Sequence, residues 1–335
     1  MSRPERAAAG PTRAAAVVAA AAGTLVMPAC HGYPGLADLV RRCHPEAGLR
    51  IEVHPGAPES SVAWADRIRG ADSVLHFFDS GALDTEALVA ERPRRVVIAG
   101  PAAAVVDMAA MRAAGVEVYD TPGLAADTVA EFTLTVMLAL AHRLPSAVGA
   151  PGDWRAVAGR DLAGRTLGIV GWGRIGARLA RLAQAIGMDV AAWSPSLGEE
   201  AARAVGVRRR ELDTLLAESE VVSLHLRAVP ETRGILDARR LALLRPDALL
   251  VNTARAALLD MAELRRRLRA DLLGGAALDV LDVEPLPARD PLAAHPRVLV
   301  TPHMAWMTDD AVGRFLAAAA AFGMDNDNRS VRRVT

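Results

Sequence analysis

Residues 166–196, TLGIVGWGRIGARLARLAQAIGMDVAAWSPS, constrain the fold more than any other stretch. Thr166-Leu167-Gly168-Ile169-Val170 is a short apolar, β-branched run, the pattern of a parallel strand buried on both faces. Gly171, Gly173 and Gly176 follow at the G-x-G-x-x-G spacing. An amphipathic helix is expected from about Ile175 to Ile186, with Arg174, Arg178 and Arg181 on its solvent side, and Met188 to Trp193 reads as a second strand. Such a βαβ unit suits a dinucleotide. Gly171 permits the tight turn, Gly173 lets the backbone approach a pyrophosphate, Gly176 lets helix and strand pack closely, and the helix N-terminus faces the phosphate charge. The glycine spacing alone is weak, because strand-to-helix turns also carry glycines for structural reasons; its setting between two strands makes it specific. Arg174 and Ile175, at the head of the helix, and Ser194, at the end of the second strand, complete this group of cofactor-binding candidates.

At 335 residues the chain is long enough for two domains with separate cores. Its 39 basic and 39 acidic residues balance, which argues against nucleic acid or an anionic membrane as the main partner. There is no lysine, so lysine Schiff-base or general-base chemistry is excluded. Cys30 and Cys43, without C-x-x-C spacing, suit a reducing compartment and neither a disulfide framework nor a zinc site. No apolar run reaches the length of a membrane span. Arg3, Arg6 and Arg13 before an alanine-rich run faintly resemble a signal peptide. The alternative, preferred because a nucleotide site implies the cytoplasm, makes Gly23–Met27 the first strand and residues 1–22 a mobile extension.

From Leu25 to Tyr119 strands and helices alternate: strands at 49–54, 73–78, 95–100 and 116–119, and helices from Ser60 or Ser61 to Arg69, Thr85 to Glu91 and Asp107 to Ala114. This is a small α/β domain with a parallel sheet. One long helix is expected from Ala126 to Leu144, with Asp127 as its cap and apolar residues nearly all round, buried between domains or subunits. A loop with Asp153 and Trp154 leads to the glycine-centred unit. Further strands are expected at 221–226, 249–253, 275–280 and 298–301, with helices at 238–244, 260–269 and about 309–322.

Three polar groups follow strand ends of this second domain, where a doubly wound sheet lines its ligand crevice. Arg255 follows Asn252-Thr253, Glu284 follows Asp279-Val280, and His303 follows Val300-Thr301-Pro302. Arginine grips a substrate carboxylate through paired hydrogen bonds and polarises the adjacent carbonyl. Histidine exchanges a proton with the carbonyl oxygen as hydride moves, and the glutamate orients the imidazole and raises its pKa. Singly, each has a bland reading: Arg255 as a surface arginine like Arg265, Arg266 and Arg267, Glu284 as a loop carboxylate, His303 as a turn cap. Three strand ends converging favour catalysis. His225 reads as a packed residue near the cofactor, and the other histidines, His54 and His76 among them, as structural or exposed.

The segments DTPGLAADTVAEFTLTVMLALAHR, GWGRIG, SLHLRAVPETRGILD, LLVNTARAALLD, GGAALDVLDVEPLP and VTPHMAW together resemble the D-isomer-specific 2-hydroxyacid dehydrogenases, from about Val96 to Trp306. The resemblance places that family's catalytic arginine, glutamate and histidine on Arg255, Glu284 and His303, and its nicotinamide-contacting aspartate on Asp279; Thr253 joins the cofactor candidates. It implies two Rossmann-like α/β domains with doubly wound parallel sheets. A nucleotide-binding domain, 123–304, is inserted into a substrate domain formed by 1–122 and 305–335. It also implies a homodimer formed through the nucleotide-binding domain, and a substrate loop, Gly100-Pro101-Ala102-Ala103, gripping a carboxylate with Arg255.

Three departures stand out. Ala256 replaces the usual glycine after the catalytic arginine, at a cost of roughly 1 kcal/mol if that position has positive φ. The 100–107 loop lacks the second glycine and polar side chains of relatives. Ser194 stands where an NAD enzyme places Asp or Glu, so both NAD and NADP are expected to serve. The expected activity is interconversion of a small 2-keto acid and a D-2-hydroxy acid without a metal. A formate- or phosphite-type oxyanion dehydrogenase and a nucleotide-sensing, corepressor-like protein are the alternatives.

Overall fold

The computed structural model describes residues 23–29, 38, 40, 49–77, 80–100, 105–149, 158–320 and 332–334. The 1–22 extension, both cysteines, His31, His44, Pro101, Ala102, Ala103, Asp153, Trp154 and the end of the last helix at Phe322 lie outside them. The chain divides into two compact units, Met1–Leu124 with Met307–Thr335, and Ala125–Trp306.

The first unit holds β1 (Gly23–Met27), β2 (Leu49–Val53), β3 (Ser73–Phe77), β4 (Arg95–Ala99) and β5 (Glu117–Asp120). They form a parallel sheet in the order β5-β4-β3-β1-β2, so the winding direction switches between β1 and β3. β1 falls on the run that the signal-peptide reading would have removed. Helix starts follow local chemistry: Ser60 accepts from the Ala63 N–H, Asp84 from Ala87, and Asp107 from Ala109 and Ala110. The Asp309–Ala320 helix belongs to this unit and sets Phe315 edge-on against Phe77, with ring centroids 5.6 Å apart. One strand was not expected: the last part of the chain, Arg332–Arg333, pairs antiparallel with β5 at the sheet edge.

The second unit is a seven-stranded parallel sheet. Its strands are β6 (Thr166–Val170), β7 (Asp189–Trp193), β8 (Arg208–Arg209), β9 (Val221–Leu224), β10 (Leu249–Asn252), β11 (Gly275–Leu278) and β12 (Val298–Val300). The order is β12-β11-β10-β9-β6-β7-β8, and the switch point lies between β6 and β9. The Arg174–Ala185 helix buries Gly176, Leu179, Ala180 and Ala183, one face at helical spacing. Burying a leucine such as Leu179, fully inaccessible, contributes about 1.5–3 kcal/mol. Short elements between 197 and 220 were not read from the sequence: helices Glu199–Arg203 and Leu212–Glu218, with β8 between them.

Several expectations need correction. The long helix spans Ala126–Ala141 and stops there because Arg143 takes a left-handed backbone (φ 52°); Leu144–Gly149 is a separate short helix. Asp127 does not cap it: Ala125 is the N-cap, without a side-chain bond, and Asp127 sits in the first turn, paired with Arg178 at 2.9 Å. Arg178 is therefore half-buried rather than on the wet side. Asp127, Glu131 and Thr135 form the one exposed stripe of the long helix. Of the three consecutive arginines read as surface residues only Arg266 is exposed; Arg267 is buried and donates to the Leu272 carbonyl at 2.9 Å.

Candidate active site

The carboxyl ends of the second unit's strands carry two differently built regions. The first follows β6. Gly171 has φ 111°, and a Cβ there would lie 2.6 Å from the His225 carbonyl carbon. Its N–H donates to the Trp193 carbonyl at 2.8 Å, tying the turn to the end of β7. A Cβ on Gly176 would lie 2.4 Å from the Gly171 oxygen, so neither position accepts a side chain. Gly173 differs: a Cβ there would meet nothing within 4 Å. It is the N-cap of the Arg174–Ala185 helix and makes no side-chain capping bond. Open space above an uncapped helix start is a cradle that suits a pyrophosphate. Arg174 is exposed and Ile175 half-buried at this start. Ser194 is buried, its Oγ 3.4 Å from Ser196 Oγ.

His225 lies under this turn. Its Nε2 is 2.9 Å from Ser223 Oγ, and burial pushes the imidazole down to about 4, which keeps it neutral near pH 7. That suits the packed role read for it. His76, in the other unit, is fully buried with Nε2 2.8 Å from the Gly81 oxygen.

The second region follows β10, β11 and β12. Asn252 is fully buried and shapes the turn after β10: its Oδ1 accepts from Ala254 N–H at 3.0 Å and its Nδ2 donates to the Arg255 carbonyl at 2.9 Å. Sequence reasoning did not assign Asn252 this work, although an asparagine two residues before a turn amide is an Asx-turn signal. Thr253 is tied to the 126–141 helix by Thr133, hydroxyl to hydroxyl at 2.9 Å. Arg255 is the half-buried N-cap of a short 3₁₀ turn, Ala256–Leu258. Ala256 is in that turn and is not among the positive-φ residues, so the expected alanine strain is absent.

His303 has φ 54°, a left-handed backbone unusual for a non-glycine residue, which costs about 1–3 kcal/mol and persists only where neighbours enforce it. Asp279 is the enforcer. Only 2 % exposed, it accepts at Oδ1 from Thr301 Oγ1 (2.6 Å) and Met304 N–H (2.9 Å), and at Oδ2 from Ala305 N–H (2.9 Å). Burial pushes this carboxyl up, against the pull of those hydrogen bonds and of His303. Two donors reach Oδ1 and one reaches Oδ2.

Glu284 meets His303 directly, Oε2 to Nδ1 at 3.0 Å, and its Oε1 accepts from Leu281 N–H at 2.7 Å. Burial opposes the Glu284 carboxylate, but His303, the Leu281 N–H and the charge of Arg255 together hold its pKa below the usual carboxylate range. An ionised carboxylate on Nδ1 fixes the Nδ1–H tautomer, which leaves Nε2 as the exchanging nitrogen. The structure thus brings Glu284 and His303 together, with Arg255 in electrostatic reach of Glu284. Gly100, with φ 144°, follows β4 in the other unit, and its neighbours Pro101, Ala102 and Ala103 are outside the described residues. Among the described residues no group of acidic, histidine or cysteine side chains could hold a metal, and no helix is long and apolar enough to cross a membrane.

Residues 134–305 match the family model described as D-isomer specific 2-hydroxyacid dehydrogenase, NAD binding domain. A glyoxylate reductase of Aeropyrum pernix is 35% identical over 246 residues, covering 70% of this chain and 73% of that protein. A glyoxylate reductase of Korarchaeum cryptofilum is 32% identical over 299 residues, covering 84% of this chain and 90% of that protein. Among solved structures, the TT0316 protein of Thermus thermophilus superposes with a TM-score of 0.73 at 32% identity, covering 89% of this chain and 94% of that one.

Proposed function

Because the chain belongs to the D-isomer specific 2-hydroxyacid dehydrogenase family, we propose that it interconverts a 2-keto acid and a D-2-hydroxy acid with NAD(H). The observation that carries this reading is the Glu284–His303 pair at 3.0 Å, at the same carboxyl end of the parallel sheet as the open Gly173 cradle. When bound, the nicotinamide supplies or accepts the hydride. Arg255 anchors the substrate carboxylate and polarises the carbonyl. In reduction, His303 releases a proton from Nε2 to the carbonyl oxygen; in oxidation, the neutral ring takes one from the hydroxyl. Glu284 stays ionised and stabilises the imidazolium. Asp279 would hold the carboxamide of the bound cofactor, and it holds the histidine turn. We further propose, on the family resemblance alone, a homodimer through the nucleotide-binding unit.

Reduction of glyoxylate, hydroxypyruvate, pyruvate, phenylpyruvate and phosphonopyruvate by NADH and by NADPH tests the proposal. Turnover of at least one keto acid is expected, with Arg255→Ala losing most of kcat/KM while NADH binding survives. NADH binding without turnover across the panel would favour a nucleotide sensor. An Arg255→Ala variant within about threefold of wild type (about 0.65 kcal/mol of barrier) would remove Arg255 from its role.

A further inference from the structure

The glutamate that meets His303 sits on a loop whose two ends are joined by one side chain. Arg265, on the Met261–Arg269 helix, donates to Asp282 through both terminal nitrogens, at 2.9 and 2.8 Å. It also holds Asp290, Nη2 to Oδ2 at 2.8 Å and Nε to Oδ1 at 3.5 Å. Asp282 is two residues before Glu284, and Asp290 is six after it. Asp290 in turn accepts from Leu292 N–H at 2.9 Å, at the loop's return to the sheet. Arg265 and Asp290 are only 16% and 12% exposed, which separates this clamp from a screened surface pair. Planar guanidinium is the one cation that can serve two carboxylates in paired geometry at once.

We propose that Arg265 is a positioning residue for proton transfer: by bridging Asp282 and Asp290 it holds the loop that presents Glu284 to His303. This rests on the reading of Glu284 and His303 as the acid–base pair. Without the bridge, two acidic side chains face each other across the loop with no shared cation. The loop opens, Glu284 spends less time at 3.0 Å from Nδ1, and the imidazolium loses part of its support. Charged groups that bear on His303 include Glu284, in contact, and Asp279, beneath its turn; Arg255 acts on Glu284.

In the Arg265 variants the direction of the effect separates positioning from simple electrostatics. In Asp282→Asn both lower the limb, so that variant is read by non-additivity: its shift is expected to vanish in an Asp282→Asn/Glu284→Gln double variant. Removing a distant cation favours imidazolium and would move the alkaline limb of keto-acid reduction to higher pH. Loss of Glu284 contact moves it lower. The test is kcat/KM for reduction against pH in wild type, Arg265→Met, Arg265→Lys, Asp282→Asn, Glu284→Gln and the Arg265→Met/Glu284→Gln and Asp282→Asn/Glu284→Gln double variants, with Tm and NADH Kd for each. Asp282 is 42% exposed and its loss leaves the Asp290 half of the clamp, so that variant folds even if Arg265→Met does not. Expected is a limb shifted to lower pH in Glu284→Gln, shifted the same way by a smaller amount in Arg265→Met and Asp282→Asn, and partly restored in Arg265→Lys. Each double variant should shift no further than Glu284→Gln alone. NADH Kd should stay within about twofold of wild type. A moved limb in Glu284→Gln with an unmoved or upward-moved limb in the Arg265 and Asp282 variants overturns the positioning role and leaves the acid–base pair standing. An additive double variant overturns it too. If Glu284→Gln leaves the limb unmoved, the pair and the inference fall together.

Discussion

The turn after β6 and the turns after β11 and β12 lie at the carboxyl end of one parallel sheet, yet they are made by opposite means. Around Gly171, Gly173 and Gly176 the site is backbone: two positions exclude a Cβ by contact, and the third opens onto empty space. Around Asp279, Glu284 and His303 the site is side chain: a buried carboxylate fixes a left-handed histidine, and a second carboxylate meets its ring. A backbone-built cradle has no adjustable group and fails when anything is added. A side-chain-built centre, here the proposed acid–base pair, fails by degrees, as each link is removed.

The sharpest way to break this contrast is addition at the cradle. In Gly171→Ala the new carbon would lie 2.6 Å from the His225 carbonyl carbon, on a residue with φ 111°. Backbone strain of about 1–3 kcal/mol adds to crowding of about 1–3 kcal/mol. The expected result is a marked loss of stability in denaturant unfolding together with weaker NADH binding. A variant within about 0.5 kcal/mol of wild type, with unchanged Kd, would show that the turn yields and that its glycine is not required.

Subtraction at the other region should cost less stability and more chemistry. Asp279→Asn keeps the shape but turns an amide NH₂ toward a site that now receives Thr301, Met304 and Ala305 as donors. One donor left facing another costs about 1–3 kcal/mol, and His303 relaxes from its strained backbone. We expect kcat to fall about 10- to 100-fold, about 1.4–2.8 kcal/mol of barrier, with a modest drop in Tm. A lowered Tm with kcat intact would mean that Asp279 holds the fold but not the histidine.

The same contrast explains what could be read from the sequence. The cradle is written in consecutive residues, and the strands flanking it were located within a residue, because apolar runs bounded by glycines are local signals. Helix starts at Ser60, Asp84 and Asp107 are equally local. Asp127 misled because an acidic residue in a first turn and an N-cap look alike in sequence. The stretch from 197 to 220 was passed over because a five-residue helix and a two-residue strand are too short to show a period. Arg267 gave no sign of burial, since its partner is a backbone carbonyl at Leu272. Arg265 was read as surface charge because its partners, Asp282 and Asp290, are 17 and 25 positions further on, at a distance only the fold closes. Glu284 and His303, the proposed acid–base pair, were legible only as strand-end positions and through the family resemblance; the left-handed turn that sets His303 was not.

The smallest effect is expected where the backbone-built region does use a side chain. Ser194 ends the strand that would receive the adenosine ribose, but it is buried, with its hydroxyl 3.4 Å from Ser196 Oγ. A serine offers neither the paired acceptor that a carboxylate gives two ribose hydroxyls nor a charge that repels a 2′-phosphate. Weak discrimination between NADH and NADPH follows, and Ser194→Asp should improve it. The new carboxylate enters a buried position, so the free protein should lose a little stability. NADH should restore it, because the ribose hydroxyls then donate to the carboxylate; NADPH should not, because it brings a second negative charge. We expect the ratio of kcat/KM for NADH to that for NADPH to rise about tenfold, about 1.4 kcal/mol of differential binding. Thermal stabilisation of the variant by NADH should exceed that of wild type at equal saturation. An unchanged ratio would place the ribose away from residue 194, and a wild type that already rejects NADPH by several orders of magnitude would show that another group performs the discrimination.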